Sequence, residues 1–203
     1  MSKNLLFGTH NSGTSSKLVW WQRLFAPILH LTSRCQTRSL SEQLSDGIVL
    51  FNFQVCYYKG EWYFSHGLCI YTLKLIDAIH LMKSHLRDNS DKKLYFQLSL
   101  DKNFLIGQNI DKYKELIELL NKEYCDDRLI MLYSIVEGGD VLYRNKDIKL
   151  SYEEHYWTQT WGELHGINWL DKIPLPKRHA KKYNESYRSS CKKNILMLDF
   201  YEY

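Results

Sequence analysis

The sequence has little of what marks membrane-spanning, secreted or disordered proteins. It contains three prolines in 203 residues, and no window approaches the roughly 18 consecutive apolar residues that a membrane-spanning helix needs. The amino terminus, Met1-Ser2-Lys3, is followed by an apolar stretch that is too short for the core of a signal peptide. We therefore expect a soluble, cytoplasmic protein.

Disulfide signatures are also missing. The five cysteines are odd in number, are scattered along the chain and form no Cys-x-x-Cys motif. They are Cys35, Cys56, Cys69, Cys125 and Cys191. Free thiols in a reducing compartment are therefore predicted.

Neither sign of charge dominates. The net charge is +4 and no long basic run is present, so nucleic acid is not an expected partner, although weak attraction to an anionic lipid surface is permitted. Hydrophobic residues make up 44% and charged residues 25% of the chain, as in ordinary globular proteins. Because internal repeats and low-complexity linkers are absent, residues 1–203 are predicted to form a single domain.

Strand and helix patterns alternate along the chain. Apolar runs bounded by turn residues predict strands at 4–9, 48–55, 94–100, 128–134 and 194–200. Capping residues and helical spacing predict helices at 39–44, 71–87 and 111–124, and a short helix at 158–170. This alternation indicates parallel strands joined by crossovers. The predicted fold class is α/β: a compact, irregular (β/α)8 TIM-type barrel with some helices shortened or missing, since the chain is at the lower limit of roughly 200 residues for such barrels.

Three further segments have less regular patterns. Residues 15–36 predict a partly helical covering segment that is interrupted at Pro27. In this segment we expect Trp20-Trp21 to be buried against the base of the barrel rather than inserted into lipid. Residues 57–64 predict a hairpin around Lys59-Gly60. The basic segment 177–193 is predicted to be solvated and mobile, and is the candidate for contact with anionic headgroups.

Four titratable residues lie at or just beyond predicted strand ends. They are His10, His66, Asp101 and Asp199. In (β/α) barrels, this edge is where catalytic side chains gather. Two histidines and a carboxylate suggest acid–base chemistry, in which one imidazole takes a proton and the other gives one. No spacing excludes the plainer alternative of a histidine in an ordinary turn, a second histidine ending a hairpin and a carboxylate at a strand end.

Four motifs, taken in order, resemble those of one family. They are Gly8-Thr9-His10-Asn11-Ser12-Gly13-Thr14; Cys35-Gln36 with Ser39-Leu40-Ser41-Glu42-Gln43-Leu44-Ser45-Asp46-Gly47-Ile48; Ser65-His66-Gly67; and Leu198-Asp199-Phe200. Together they resemble the X-domain of phosphatidylinositol-specific phospholipase C, and they span nearly the whole chain. The middle third matches only in its strand–helix rhythm.

This resemblance implies a barrel that cleaves a phosphodiester with an inositol hydroxyl as internal nucleophile. His10 would be the general base, His66 would protonate the leaving glycerol oxygen, and Asp199 would orient His10. The products would be a cyclic phosphate and diacylglycerol.

The second strand departs from the family pattern. Asn52 and Gln54 stand where the family usually has charged residues, and Val49 replaces a common arginine. The expected phosphate-binding residues are Asn11, Asn52, Gln54 and Lys102. No cofactor is expected, but oxygen atoms of Asn11, Asn52, Gln54 and Asp101 would suit Ca²⁺ in a calcium-dependent enzyme. Three of these four ligands are neutral, so the affinity would be poor.

Two functional hypotheses follow, and the oligomeric state stays open. In the first, the chain is a phosphoric diester hydrolase that acts on a phosphoinositide or another phosphodiester and touches an anionic membrane peripherally. In the second, it is a catalytically impaired barrel with a binding or structural role, because the charged pair is missing from the second strand. A glycerophosphodiester phosphodiesterase-like activity would need an acidic metal cluster that the sequence does not contain.

Overall fold

The architecture is a single curved sheet with helices on its outer side. The computed structural model describes residues 5–101, 106–137, 140–144, 150, 152–155 and 175–203. The strands are β1 (Leu6–Thr9), β2 (Leu50–Tyr58), β3 (Glu61–His66), β4 (Cys69–Lys74), β5 (Leu94–Leu100), β6 (Leu129–Glu137), β7 (Asp140–Arg144), β8 (Tyr152–His155) and β9 (Ile195–Leu198). The helices are α1 (Ala26–Ser33), α2 (Leu40–Ser45), α3 (Leu75–Asp88), α4 (Ile110–Glu123) and α5 (Pro176–Ser190), with 3₁₀ segments at Ser12–Ser15 and Trp20–Phe25.

The order of the sheet is β7-β6-β5-β2-β1-β9-β8, and β3 and β4 extend from β2 as antiparallel strands. All neighbours from β6 to β8 pair in parallel, while β7 runs antiparallel to β6. The predicted parallel arrangement of the strands at 4–9 and 48–55 is therefore confirmed. Because β1 lies between β2 and β9, the carboxyl ends of these three strands meet at one edge.

A hydrogen bond across the sheet demonstrates its curvature. Gln97 Nε2 on β5 donates to the Tyr152 hydroxyl on β8 at 2.7 Å, although three strands separate β5 from β8. A flat sheet would hold these strands about 19 Å apart, at about 4.8 Å per strand. The sheet is thus curled in the manner of a TIM-type barrel, and the predicted fold class is confirmed. Within the described residues the curl is open, since no pairing joins β7 to β8.

Apolar side chains fill both faces of this curl. The outer face packs Phe51, Phe53 and Phe96 against the buried stripes of α3 and α4. Those stripes have the spacing of amphipathic helices, which is why the sequence predicted both helices. The inner face is apolar near the start of the strands, where Leu50 and Ile195 belong to a second cluster. His10 and Asp199 lie beyond this apolar cluster, at the carboxyl ends of β1 and β9.

The capping residues and turn residues act as the sequence predicted. Ser39 caps α2 in a reciprocal capping box with Glu42, and the strand predicted at 94–100 has the bounds of β5. The hairpin predicted at 57–64 joins β2 to β3, with positive φ angles at Lys59 and Gly60.

Four local predictions are corrected. The helix predicted over 71–87 begins only at Leu75, because Cys69–Lys74 pairs with β3 as β4. Pro27 lies in the first turn of α1 and does not interrupt it, which is the helical position that proline tolerates. Trp20 is exposed and is not buried cover. The segment 177–193 is mostly the ordered helix α5, whose buried residues are too few to give a clear apolar period.

Other predictions lie outside the described residues. They include the short helix at 158–170 and Lys102. The single domain also stays a prediction. Among the described residues, no helix is both long enough and apolar enough to cross a membrane.

The close approach of Gly13 to β3 generates a test of the packing. A Cβ atom on Gly13 would lie 2.2 Å from the buried ring of Phe64. We expect Gly13→Ala to lower the free energy of unfolding by about 1–3 kcal/mol, the usual cost of overpacking, as measured by urea denaturation. Phe64→Leu should recover part of this loss in the double variant, and Ser15→Ala is the matched control. Equal stability of Gly13→Ala and wild type would contradict the packing.

Candidate active site

His10 and Asp199 form a buried pair at the carboxyl edge of the sheet. The parallel register pairs Thr9 with Leu198, so the residue after each strand lies at the same level. His10 Nδ1 is 2.7 Å from Asp199 Oδ1, and both residues are buried. With the Nδ1 proton donated to the carboxylate, the lone pair is on Nε2, where Asn11 Nδ2 donates at 3.1 Å. This is the tautomer that a general base requires.

His66 faces His10 from the end of β3. The two ring centroids are 6.0 Å apart and the rings are nearly perpendicular, at 83°. His66 Nδ1 donates to the carbonyl oxygen of Ser33, the last residue of α1, at 2.8 Å. Burial lowers the pKa of His66, and the positive charge of a protonated His10 lowers it further, against the opposing effects of the Ser33 carbonyl and Asp199. The sequence therefore predicted correctly that these three side chains meet.

Gln36 joins the two strands that hold the pair. Its Nε2 donates to the carbonyl oxygens of His10 and Leu198, each at 2.9 Å, and the residue is fully buried. Thr9 and the loop after β1 are fixed in a similar way by Gln43, which accepts from Thr9 Oγ1 and donates to the Ser12 carbonyl. Two buried glutamines thus set the position of the His10 backbone.

The end of β9 is held from the other side. Asn184 on α5 donates from Nδ2 to the carbonyls of Asp199 at 2.9 Å and Phe200 at 3.1 Å. The amide of Phe200 donates to the Cys35 carbonyl at 2.7 Å. These bonds fix Asp199 between α5 and the segment after α1.

Both members of the pair are followed by a residue with left-handed backbone. Asn11 has φ 46° and Phe200 has φ 43°. Asparagine adopts this conformation readily, but for phenylalanine it costs roughly 1–2 kcal/mol. The chain therefore turns sharply just after each catalytic-type side chain, and at Phe200 the surrounding hydrogen bonds hold a strained turn.

The predicted phosphate-binding amides are only partly brought together. The backbone amide of Asn11 donates to Asn52 Oδ1 at 3.2 Å, and Asn52 Nδ2 donates to Gln97 Oε1 at 3.1 Å. With the bond to Tyr152, this forms a chain of neutral polar groups across the inside of the curl. Gln54 lies further along β2 with a buried Oε1 that has no hydrogen-bond partner.

The predicted calcium set fits a calcium ion poorly. The oxygen of Asn52 already accepts from the Asn11 backbone. Asp101 follows β5, where its charge contributes to the raised pKa values of Cys56 and Cys69, behind the larger effect of burial. It is the one charged residue of the set, whereas Ca²⁺ affinity grows with ligand charge. We derive no catalytic step through a calcium ion.

Three buried residues of the site were not assigned a role from the sequence. They are Cys35, Gln36 and Asn184. The first two belong to a motif that resembled the family, which was the available signal. Asn184 gave none, because one asparagine in a polar run looks like any solvated residue.

An apolar surface lies next to the site. Trp20, Leu24, Phe25, Ile28 and Leu31 are 59–86% exposed, and they belong to the 3₁₀ segment before α1 and to α1 itself. We call these five residues the apolar rim. Between α1 and α5 a cleft of about 480 Å³ is lined in part by Arg34, Lys177, Arg178 and Lys181. An exposed apolar patch beside a cationic cleft is the arrangement expected of a peripheral membrane surface.

The described residues thus form a curled α/β half-barrel, with two histidines and an aspartate gathered at its strand ends. The same fold occurs in bacterial phosphatidylinositol-specific phospholipases C. A variant of the Staphylococcus aureus enzyme matches with a TM-score of 0.63 and 9% identity, covering 100% of this chain and 88% of that one. The Listeria monocytogenes enzyme matches with a TM-score of 0.63 and 14% identity, covering 98% and 91%. No protein-family model and no curated protein matches the sequence.

The electrostatics of His66 can be tested without any assay of function. In nuclear magnetic resonance titrations, the His66 ring should titrate below about 6.5, the midpoint of an unperturbed imidazole. His10→Gln should raise that midpoint, because the repulsion from His10 is removed. His85→Gln, a change on the distant half of α3, is the control and should leave it unchanged. A His66 midpoint that is normal in the wild type, or insensitive to His10, would contradict this geometry.

Proposed function

We propose that the chain is a phosphodiesterase of the phospholipase C type, which cleaves inositol phosphodiesters by attack of a ring hydroxyl on the neighbouring phosphorus. The observation that carries the proposal is the convergence of His10, His66 and Asp199 at one edge of the curl. A second support is the fold, which this chain shares with bacterial enzymes whose names describe that activity. The site chemistry, and not the fold, is the reason for assigning acid–base roles.

The proposed reaction transfers two protons in opposite directions. His10 Nε2 takes the proton of the attacking hydroxyl, and Asp199 stabilises the imidazolium that results. As the new P–O bond forms, the bond to the glycerol oxygen breaks, and His66 gives that oxygen a proton. The products are a cyclic inositol phosphate and diacylglycerol.

His66 must be protonated for its role, whereas its environment favours the neutral ring. Its lowered pKa means that few molecules of the free protein have the active protonation state at neutral pH. A bound phosphodiester adds a negative charge, which raises the pKa of a nearby imidazole. Substrate binding would therefore raise the pKa of His66 and favour its protonated form, which is the general acid.

The substrate is proposed to reside in a membrane, with the apolar rim as the contact. Solved structures of the S. aureus enzyme concern the modulation of its membrane binding. In this chain, Ser33 at the end of α1 accepts the hydrogen bond from His66, so the helix that carries part of the rim also touches the site. The cationic cleft beside it would attract an anionic lipid surface, at about 1 kcal/mol per basic residue near the surface.

A binding role without turnover is the second candidate. The specific observation in its favour is the neutral chain of Asn11, Asn52 and Gln97. Phosphoryl transfer normally relies on a cation at the phosphate, from arginine, lysine or a metal. Amides donate hydrogen bonds but stabilise developing charge less.

A turnover assay separates the two candidates. On phosphatidylinositol and on soluble inositol phosphodiesters, we expect wild-type turnover and a loss of about 10²–10⁴-fold in kcat for His10→Ala and for His66→Ala, since each removes an acid–base group. His85→Ala is the matched control and should keep full activity. Turnover that survives both substitutions would overturn the assigned roles. Binding of an inositol phosphate by a folded wild type that shows no turnover would favour the second candidate.

The membrane surface has its own test. Leu24→Ala with Ile28→Ala should lower partitioning onto phosphatidylcholine vesicles containing phosphatidylinositol by about tenfold or more, because each buried CH₂ contributes about 0.8 kcal/mol. Sedimentation of the vesicles gives the bound fraction. The control is Leu119→Ala, an exposed leucine on α4. Equal effects at Leu119 and at the rim would exclude the rim as the contact.

A further inference from the structure

A cysteine lies among the acid–base residues, and the proposed reaction does not use it. A ring nitrogen of His10, Cys35 Sγ and a carboxylate oxygen of Asp199 all lie within 4.8 Å of one another. Each of these residues is at most 7% exposed. Cys35 Sγ is also 3.7 Å from His66 Nδ1. We call His10, Cys35 and Asp199 the thiol–imidazole cluster.

The ligand types of this cluster select one class of metal. A thiolate, an imidazole and a carboxylate form the mixed sulfur, nitrogen and oxygen set that Zn²⁺ takes in tetrahedral sites, where water can fill the fourth position. Bond lengths of about 2.0–2.3 Å place neighbouring ligand atoms about 3.2–3.8 Å apart in such a tetrahedron. The three ligand atoms of the cluster lie within 4.8 Å of one another, so each pair has to move by about 1.6 Å or less to reach these distances. Ca²⁺ is bound by oxygen ligands, so the cysteine sulfur disfavours calcium at this site.

Cys35 is held in place by backbone contacts to both sides of the site. Its amide donates to Thr14 Oγ1 at 3.0 Å, in the loop that follows His10. Its carbonyl accepts from the amide of Phe200, next to Asp199, at 2.7 Å. The sulfur is thus fixed between two of its prospective co-ligands before any metal arrives, which is what a preorganised site requires.

Asn11 supplies a second, independent sign of a missing ligand. Its Nδ2 approaches both His10 Nε2, at 3.1 Å, and Cys35 Sγ, at 3.6 Å. Its Oδ1 is buried and has no hydrogen-bond partner, although the residue is only 1% exposed. A buried amide oxygen without a partner is costly. Half a turn of the amide would point this oxygen at a cation held between the ring and the sulfur.

We propose that the thiol–imidazole cluster binds Zn²⁺ or a similar divalent transition metal. Binding releases the thiol proton of Cys35 to solvent and uses a ring lone pair of His10. The site then lacks its general base, so the metal is an inhibitor of the chemistry and not a cofactor. The inhibition rests on the proposed phosphodiesterase activity, whereas the binding does not.

Cobalt provides the direct test, because Co²⁺ bound to a thiolate gives a charge-transfer absorption that oxygen and nitrogen ligands alone do not. Titration of the reduced full chain with Co²⁺ should give this band with one metal per chain, and Zn²⁺ should displace it. Cys35→Ser should abolish the band and weaken Zn²⁺ binding at least tenfold in competition with a chromophoric chelator. Cys125→Ser, a change at a half-buried cysteine just after α4, is the matched control and should keep both.

A second variant, together with a check of folding, distinguishes a lost metal ligand from a misfolded protein. His10→Gln should retain the cobalt band, since the thiolate remains, but should bind Zn²⁺ more weakly. Thermal melting of every variant checks that it is folded. Absence of the band from the wild type, or its persistence in folded Cys35→Ser, would overturn the proposal.

Turnover assays in the presence of metal separate this proposal from the function. If the chain is active, Zn²⁺ should abolish turnover over the concentration range in which it displaces cobalt, and an equal concentration of Ca²⁺ should not. Binding by a chain with no turnover would support the metal site and count against the phosphodiesterase. Full activity with the cobalt site saturated would overturn the inhibitory role.

Discussion

The parallel pairing of β1 with β9 is the constraint on which the site depends. It places His10 and Asp199, 189 positions apart in sequence, at the same level of the same edge and within one hydrogen bond. Backbone hydrogen bonds make the alignment, and Gln36 then ties the two strand ends together through their carbonyls. Because the strand ends are fixed, the sharp left-handed turns at Asn11 and Phe200 can be tolerated directly beyond them.

The distribution of charge at this edge is unusual for a site proposed to bind a phosphate group. The acid–base residues are present and the pair is buried, so the interaction between His10 and Asp199 is little screened by solvent. The groups around Asn52, by contrast, are neutral amides already bonded to one another. Among the described residues at this edge, a protonated His66 would be a source of positive charge for a phosphate, so the lowered pKa of that ring would matter for the proposed chemistry.

Helix α1 connects the inside of the protein to its surface. Its exposed side chains continue the apolar rim, and the carbonyl of its last residue, Ser33, orients His66. The segment that follows α1 contributes Cys35 and Gln36 to the site. A displacement of α1 would therefore change the hydrogen bond of His66 and the position of the cysteine, through a path of only a few residues.

Local sequence patterns were sufficient to predict several helices and strands. The periodic apolar residues of α3 and α4, the capping box at Ser39 and the run that forms β5 act through near neighbours, so they could be predicted with little knowledge of the fold. His10, His66 and Asp199 could also be singled out, because strand ends can be predicted from the sequence and the motifs around these residues resemble those of a known family.

The roles of the remaining residues depend on contacts between distant parts of the chain. That Trp20 faces solvent, that 69–74 is a strand and that Asn184 holds Asp199 depend on partners far along the chain. The same holds for Cys35, whose neighbours in sequence say nothing of His10 or His66. A side chain takes its chemistry from the groups that surround it, and those groups are set by the pairing of distant strands.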